Sequence, residues 1–202
     1  MSSGAPFLQP SVPTLAASLW PARDDVRGAA FRAAVLMLLG SALLAVSAKI
    51  QVPLPLVSIS LQSLVVLLIG AAFGAKLGAA TVLLYLAEGA LGLPVFQNTP
   101  PAVPGPLYFL GPTGGFLAGF VAAAAVTGFL SERGWNRSLV RIVLMMAIGH
   151  AVIFIFGLAW LSVLMGAAKA WTVGAAPFLW ATLIKTALAA ALMRAAWATI
   201  PR

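Results

Sequence analysis

The chain has 202 residues, of which 62% are hydrophobic and only 8% are charged, and its mean hydropathy is +1.05. A water-soluble domain of this size has no use for so much apolar surface, so the composition predicts a polytopic membrane protein and excludes a soluble enzyme. The net charge is +8, but the basic residues stand singly at the edges of apolar segments, a distribution that excludes a nucleic-acid-binding surface.

Six apolar segments are predicted to cross the bilayer, because one span needs roughly 20 residues. The fold class is therefore an all-α integral membrane protein, a bundle of six transmembrane helices. Residues 1–28 form a polar or interfacial tail, and residues 29–202 form the transmembrane domain. The predicted spans are approximately 29–48, 59–73, 79–93, 113–130, 140–164 and 175–197.

The basic residues predict the orientation of the bundle, since short cytoplasmic segments carry an excess of Lys and Arg. One side holds nearly all of them, and Lys49 and Lys169 lie on the other. Both termini are therefore predicted to be cytoplasmic. The Pro-rich or Gly-rich breaks after Lys49, after Pro94 and at Pro177 then open outward, so a pocket built from them faces the outside. The cytoplasmic set is Arg23, Arg27, Arg32, Lys76, Arg133, Arg137, Arg141, Arg194 and Arg202.

Three ionisable residues lie inside predicted spans: Glu88, His150 and Lys185. A lone charge at that depth costs at least about 2.5–3.5 kcal/mol, so each is expected to face the bundle interior and to have a partner. Two interpretations remain open for the charged residues. Either Glu88 and Lys185 pair as a structural strut, or Lys185 faces an anionic ligand group while Glu88 shapes the cavity. His150 is interpreted as a hydrogen-bonded packing residue.

Polar and aromatic residues near the outer ends of the spans are further candidates, each with a structural alternative. Thr182 shares a helix face with Lys185, but its hydroxyl is equally suited to its own helix backbone. Interfacial or loop positions explain Gln62 and Asn98, and aromatic belts or core packing explain Tyr85 and Trp160.

Enzymatic function and a nucleotide site are not expected. The sequence has no cysteine and one histidine, which excludes a metal site of several His or Cys ligands within one chain. It contains neither a P-loop nor a G-x-S-x-G motif, and no nucleophile adjoins His150. No cofactor is predicted. The alternatives are an autonomous secondary transporter or channel, with Glu88 and Lys185 on an ion path, and an intramembrane enzyme using His150.

Four stretches together resemble the BioY family, the biotin-binding membrane subunits (S components) of energy-coupling-factor (ECF) transporters. They are YLAEGALGLPVF at 85–96, GPTGGFLAGF at 111–120, ISLQ at 59–62, and Pro177-Phe178 followed by Lys185. The resemblance implies a six-helix bundle in the cell (inner) membrane whose outward pocket is capped by the loop between spans one and two. It also implies biotin as ligand, and a transmembrane coupling protein with ABC-type ATPases as partners.

The resemblance also implies site residues. Asn98 and Lys185 would contact the ligand, and Thr182 would assist with a hydroxyl. That residue marks a departure, since Ala181-Thr182 stands where the family pattern often has Gly-Asp. The remaining residues would line or shape the pocket: Gln62, Tyr85, Glu88, Gly114, Trp160 and Phe178.

Overall fold

The computed structural model describes residues 12–21, 25–102 and 104–200. Half of the predicted N-terminal tail, residues 1–11 and 22–24, lies outside these ranges, as do the orientation residues Arg23 and Arg202. Within them the chain forms eight α-helices and one short antiparallel hairpin: α1 (Leu15–Leu19), α2 (Val26–Lys49), β1 (Gln51–Val52), β2 (Ile59–Ser60), α3 (Gln62–Phe73), α4 (Ala75–Ala90), α5 (Gly114–Glu132), α6 (Leu139–Met165), α7 (Ala167–Gly174) and α8 (Leu179–Ala198).

Four segments are long and apolar enough to cross a membrane: α2, α5, α6 and the run Ala167–Ala198 that contains α7 and α8. The predicted all-α membrane architecture is therefore confirmed, and so is the apolar character of these four spans. The helices α3 and α4 are shorter, with 12 and 16 residues. Most residues of α3 are buried, because it packs against α2, α4, α5 and α8. It forms the centre of the bundle.

The turn between α3 and α4 depends on close backbone approach. Gly74 has a φ of +91°, a conformation that favours glycine. A Cβ on Gly78 would lie 2.9 Å from the Cα of Gly70. The absence of side chains at Gly70 and Gly78 therefore lets the backbones of α3 and α4 meet closely next to this turn. Glu132 Oε1, from the end of α5, accepts a hydrogen bond from Ala75 N at 2.9 Å and so caps the first turn of α4.

The third span is predicted to begin at residue 79, but α4 begins at Ala75. Two further predicted boundaries are wrong for identifiable reasons. The second span is predicted to begin at residue 59, but Ile59 and Ser60 form β2 and pair with β1 in the register Gln51↔Ser60 and Val52↔Ile59. The β-branched residue and the preceding prolines favour extended backbone here. The Ser60 hydroxyl then accepts from Gln62 N at 3.4 Å, where α3 begins.

The second wrong boundary lies before the last span. The segment predicted to be a short loop with Lys169 is the helix α7. The last helix is predicted to begin at Ala175, but α8 begins at Leu179 because Pro177 belongs to a 3-10 turn, Ala176–Phe178. Proline fixes its own φ and lacks the N–H that a helix interior requires.

Candidate functional site

A cavity opens at the end of the bundle where α3, α5 and α8 begin. About 600 Å³ of space here is not filled by protein atoms, a figure that includes the open mouth. The hairpin and the loop between α4 and α5 cover it. The lining residues are Val57, Ser58, Ser60, Gln62, Ser63, Phe96, Gln97, Tyr108, Thr113, Phe116, Leu117, Phe120, His150, Ile153, Phe154, Phe178, Thr182 and Lys185.

One positive charge faces this cavity. Lys185 is 8% exposed, and its Nζ donates to Ser63 Oγ at 3.0 Å. None of the described residues that line the cavity is acidic. A buried ammonium is normally neutralised by a carboxylate or satisfied by several acceptors, because removing it from water is costly. Lys185 therefore presents a positive charge that an anionic group inside the cavity would neutralise.

Glu88 does not neutralise Lys185. Its carboxylate accepts from Ser41 Oγ of α2 at 2.8 Å, and Glu88 is absent from the cavity wall. No ion pair joins Glu88 to Lys185 within the described structure. The interpretation of these two residues as a structural strut is therefore wrong.

The first turn of α3 supplies a hydrogen-bonded polar wall. Gln62 is buried and donates from Nε2 to Tyr85 Oη at 2.6 Å, and Tyr85 in turn donates to the carbonyl of Val95 at 3.0 Å. Gln62 lines the cavity, whereas Tyr85 lies behind it on α4. The tyrosine thus fixes the amide orientation of a lining residue.

Aromatic side chains from the α4–α5 loop form the roof. Phe96 stacks on Tyr108 with ring centroids 4.6 Å apart and meets Phe109 edge-on at 5.5 Å. Burial raises the pKa of Tyr108, so it remains a neutral phenol, and its hydroxyl donates to the carbonyl of Gln97 at 2.7 Å. The roof is therefore a rigid aromatic cluster with few free polar groups.

Hydrogen bonds join the hairpin to the loop between α4 and α5. Asn98 has a φ of +57°; its Oδ1 accepts from Gln51 Nε2 at 2.9 Å and its Nδ2 donates to Ser58 Oγ at 3.2 Å. Lys49 Nζ donates to the carbonyls of Phe96, at 2.8 Å, and Thr99. The two covering segments are thereby held to one another and to the end of α2.

The family model described as the BioY family matches residues 20–202 of the chain. The chain belongs to the BioY family. This assignment accounts for nearly all of the described structure and confirms the resemblance carried by the four sequence stretches. The protein is a multi-pass membrane protein, and BioY membership agrees with the prediction that it is not an enzyme.

The sequence of the chain is similar to those of individual BioY relatives over most of their length. The biotin transporter BioY of Thermotoga maritima is 37% identical over 151 residues, which is 74% of this chain and 86% of that relative. The biotin transporter BioY of Rhizobium etli is 36% identical over 159 residues, 74% of this chain and 81% of that protein. The probable biotin transporter BioY of Pyrococcus horikoshii is 36% identical over 148 residues, 73% and 85% respectively.

A solved structure shares the fold. The S-component for biotin from an ECF-type ABC transporter superposes with a TM-score of 0.69, covering 84% of this chain and 93% of that chain at 21% sequence identity. The helical architecture of the BioY chain is therefore that of an S component.

The structure brings some of the predicted site residues together and separates others. Gln62, Phe178, Thr182 and Lys185 line the cavity, and Tyr85 supports Gln62.

The other predicted residues stand apart from the cavity wall. Asn98 faces a shallower neighbouring pocket that shares Tyr108 and Thr113 with the main one. Trp160 donates its indole N–H to the Gly111 carbonyl at 2.9 Å. Gly114 begins α5 where a side chain would overlap the backbone of Phe109. Glu88 also lies away from the cavity wall, where it bonds Ser41.

Sequence reasoning did not select several lining residues. Ser58 and Ser60 reach the cavity only because the hairpin folds over it, and short polar residues near a predicted loop do not indicate this. Ser63 lines the cavity from the first turn of α3. The roof residues Phe96 and Tyr108 had a usable signal, since two aromatic residues flank a proline-rich connection next to the family-like motifs.

Proposed function

We propose that this BioY chain is a biotin-binding S component that binds biotin from outside the cell. The observation that carries the proposal is the buried ammonium of Lys185. Among the described residues, those that line the cavity include no acid, and the neutral Ser63 is the partner of the ammonium. Biotin has a carboxylate that suits this charge, an apolar bicycle that suits Phe178 and the aromatic roof, and a ureido group that requires polar partners.

The proposed orientation places the cavity on the outer side of the membrane. Arg133, Arg137, Arg141 and Arg194 lie in or beside the helix ends opposite the cavity, and the positive-inside rule assigns that end to the cytoplasm. Both termini are then cytoplasmic, and six helices cross the bilayer. The short α3 is compatible with crossing because protein surrounds it, and irregular ends are tolerated where lipid does not touch them.

The site-residue roles are part of the same proposal. Lys185 binds the carboxylate, Gln62 and Thr182 offer polar contacts, and Phe178 packs on apolar atoms of the ligand. Asn98 and Tyr85 act by holding the covering loop and Gln62 in place. Delivery into the cell requires a transmembrane coupling protein and ABC-type ATPases, consistent with the absence of a P-loop in this sequence.

Calorimetric titration of the purified chain in detergent with biotin, without partner or nucleotide, tests the proposal. One-site binding in the nanomolar to low micromolar range is expected. A monodisperse, folded sample that does not bind biotin would overturn the assignment of the ligand. Biotin uptake by vesicles that contain this chain alone, driven by a proton gradient, would instead favour an autonomous transporter.

A further inference from the structure

His150 on α6 holds an unused hydrogen-bonding atom at the cavity. The residue is 3% exposed and lines the cavity, and its Nε2 is buried without a hydrogen-bond partner in the described protein. Buried polar atoms are nearly always paired, so an unpaired nitrogen in a cavity-lining residue is unusual.

The other ring nitrogen decides which hydrogen-bonding role remains for Nε2. Nδ1 lies 3.1 Å from the carbonyl of Met146 and 3.1 Å from the hydroxyl of Thr186. A carbonyl oxygen can only accept, so Nδ1 carries the proton and donates it. In a neutral imidazole, Nε2 then has a lone pair and accepts. Lys185 in the same cavity disfavours a second positive charge, which keeps the ring neutral.

The ring also faces in a defined direction. Met146 and Thr186 do not line the cavity, so the Nδ1 edge is turned away from it. His150 lines the cavity with the remainder of its ring, where Nε2 is enclosed by the protein. His150 lies deeper than Ser63, which belongs to the first turn of α3 near the mouth. The imidazole of His150 and the ammonium of Lys185 therefore lie at different depths along the same cavity.

We propose that His150 is a ligand-contacting residue whose Nε2 accepts a hydrogen bond from an N–H group of the bound ligand. The proposal rests on the proposed function, because the only N–H groups of biotin are in its ureido ring. It follows that biotin enters with the bicyclic end first, the ureido ring near α6 and the carboxylate toward Lys185 and the mouth. His150 then selects for ligands that present an N–H to the inner part of the cavity.

Three variants of the full chain and two ligands test this inference. In His150→Gln the side-chain amide reaches the position of Nε2, so its oxygen can accept the same bond, whereas in His150→Asn it reaches only as far as Nδ1. By calorimetry, His150→Gln is expected to bind biotin within about threefold of the original chain. His150→Asn and His150→Ala are expected to bind about tenfold more weakly, the loss of one buried hydrogen bond.

Biotin methylated on the ureido nitrogens supplies a measurement that a packing defect would not change. The original chain is expected to bind it at least tenfold more weakly than biotin, and His150→Ala to bind the two ligands with similar affinity. An equal penalty in both proteins, or no penalty in the original chain, would overturn the role of His150. Failure of the original chain to bind biotin at all would instead overturn the proposed function, and the inference with it.

Discussion

The ammonium group of Lys185 donates a hydrogen bond to the hydroxyl of Ser63 across 3.0 Å. This contact joins α8 to the first turn of α3 at the wall of the cavity. The hydroxyl holds the lysine side chain in place but cannot neutralise it, so the charge remains available to an incoming anion.

Replacement of Lys185 is expected to weaken biotin binding. Lys185→Met keeps much of the side-chain volume and removes the charge. The loss of a charge-assisted hydrogen bond worth about 1.5–3 kcal/mol predicts an affinity loss of roughly tenfold or more by calorimetry. The matched control is Lys169→Met, which removes an exposed charge from α7 at the same end of the protein and is expected to leave affinity unchanged.

Biotin methyl ester separates a direct charge contact from a general disturbance. The ester lacks the negative charge, so it is expected to bind the original chain and Lys185→Met with similar, weak affinity. If Lys185→Met weakens the ester and the acid by the same factor, Lys185 does not meet the carboxylate.

Removal of one hydroxyl behind the cavity is expected to destabilise the fold. Tyr85 is fully buried, and its hydroxyl bonds both Gln62 Nε2 and the Val95 carbonyl. Tyr85→Phe leaves these two groups unsatisfied, at a cost of about 1–3 kcal/mol. Thermal unfolding in detergent, followed by circular dichroism, is expected to show a lower midpoint.

An exposed tyrosine would be the simplest control, but the chain has two tyrosines, and the second, Tyr108, belongs to the aromatic roof. The control is therefore Gln62→Leu together with Tyr85→Phe. Because the double variant removes the buried donor along with its acceptor, it is expected to recover part of the lost stability. Additive losses would show that the pair does not act as one hydrogen-bonded unit.

A methyl group at Gly128 is expected to separate α5 from the α3–α4 turn. A Cβ built there would overlap the backbone of Gly74 and Ala75, which cannot move aside as a flexible side chain can. Overpacking of this kind typically costs about 1–3 kcal/mol, so Gly128→Ala should lower the unfolding midpoint. Ala118→Ser, which adds one heavy atom at an exposed position of the same helix, should leave the midpoint unchanged.

Asn98 is expected to affect binding through the loop rather than through ligand contact. Asn98→Gly tolerates the φ of +57° but loses the bonds to Gln51 and Ser58, so the covering segments are held less tightly. We expect faster amide hydrogen exchange across residues 50–60 and 96–102 in the biotin-free protein. Unaltered exchange there, together with a loss of biotin affinity, would indicate a direct contact instead.

Much of the membrane fold follows from apolar segment length, which is readable in a single sequence. The spans at α2, α5 and α6 fall within a few residues of prediction because nothing but their own composition decides them. The hairpin β1–β2 and the helix α7 are not predicted because both are too short for a periodic signal. Their structure depends on the bundle end on which they pack.

The candidate site is predictable where side chains project from helices. Lys185 and Thr182 share a face of α8, Phe178 lies in the turn just before it, and the spacing of the three residues along the chain is enough to predict that they lie close together. The contribution of Ser58 and Gln97 depends on how two loops fold over the bundle, and sequence spacing does not encode this. The Nδ1 contacts of His150 agree with the predicted packing role. The unpaired Nε2, which the sequence cannot indicate, is what suggests a hydrogen bond to the ligand.

The contact between Lys185 and Ser63 has a consequence for the release of biotin. A buried cation attracts an anionic ligand most strongly when it is fully enclosed, so the arrangement that binds biotin also slows its release. Release to the cytoplasm requires α8 and α3 to separate, or water to reach the ammonium. Bound biotin supplies no free energy for either change. On the proposed function, the isolated protein binds biotin without releasing it inside the cell, and transport depends on free energy supplied by the partner ATPases.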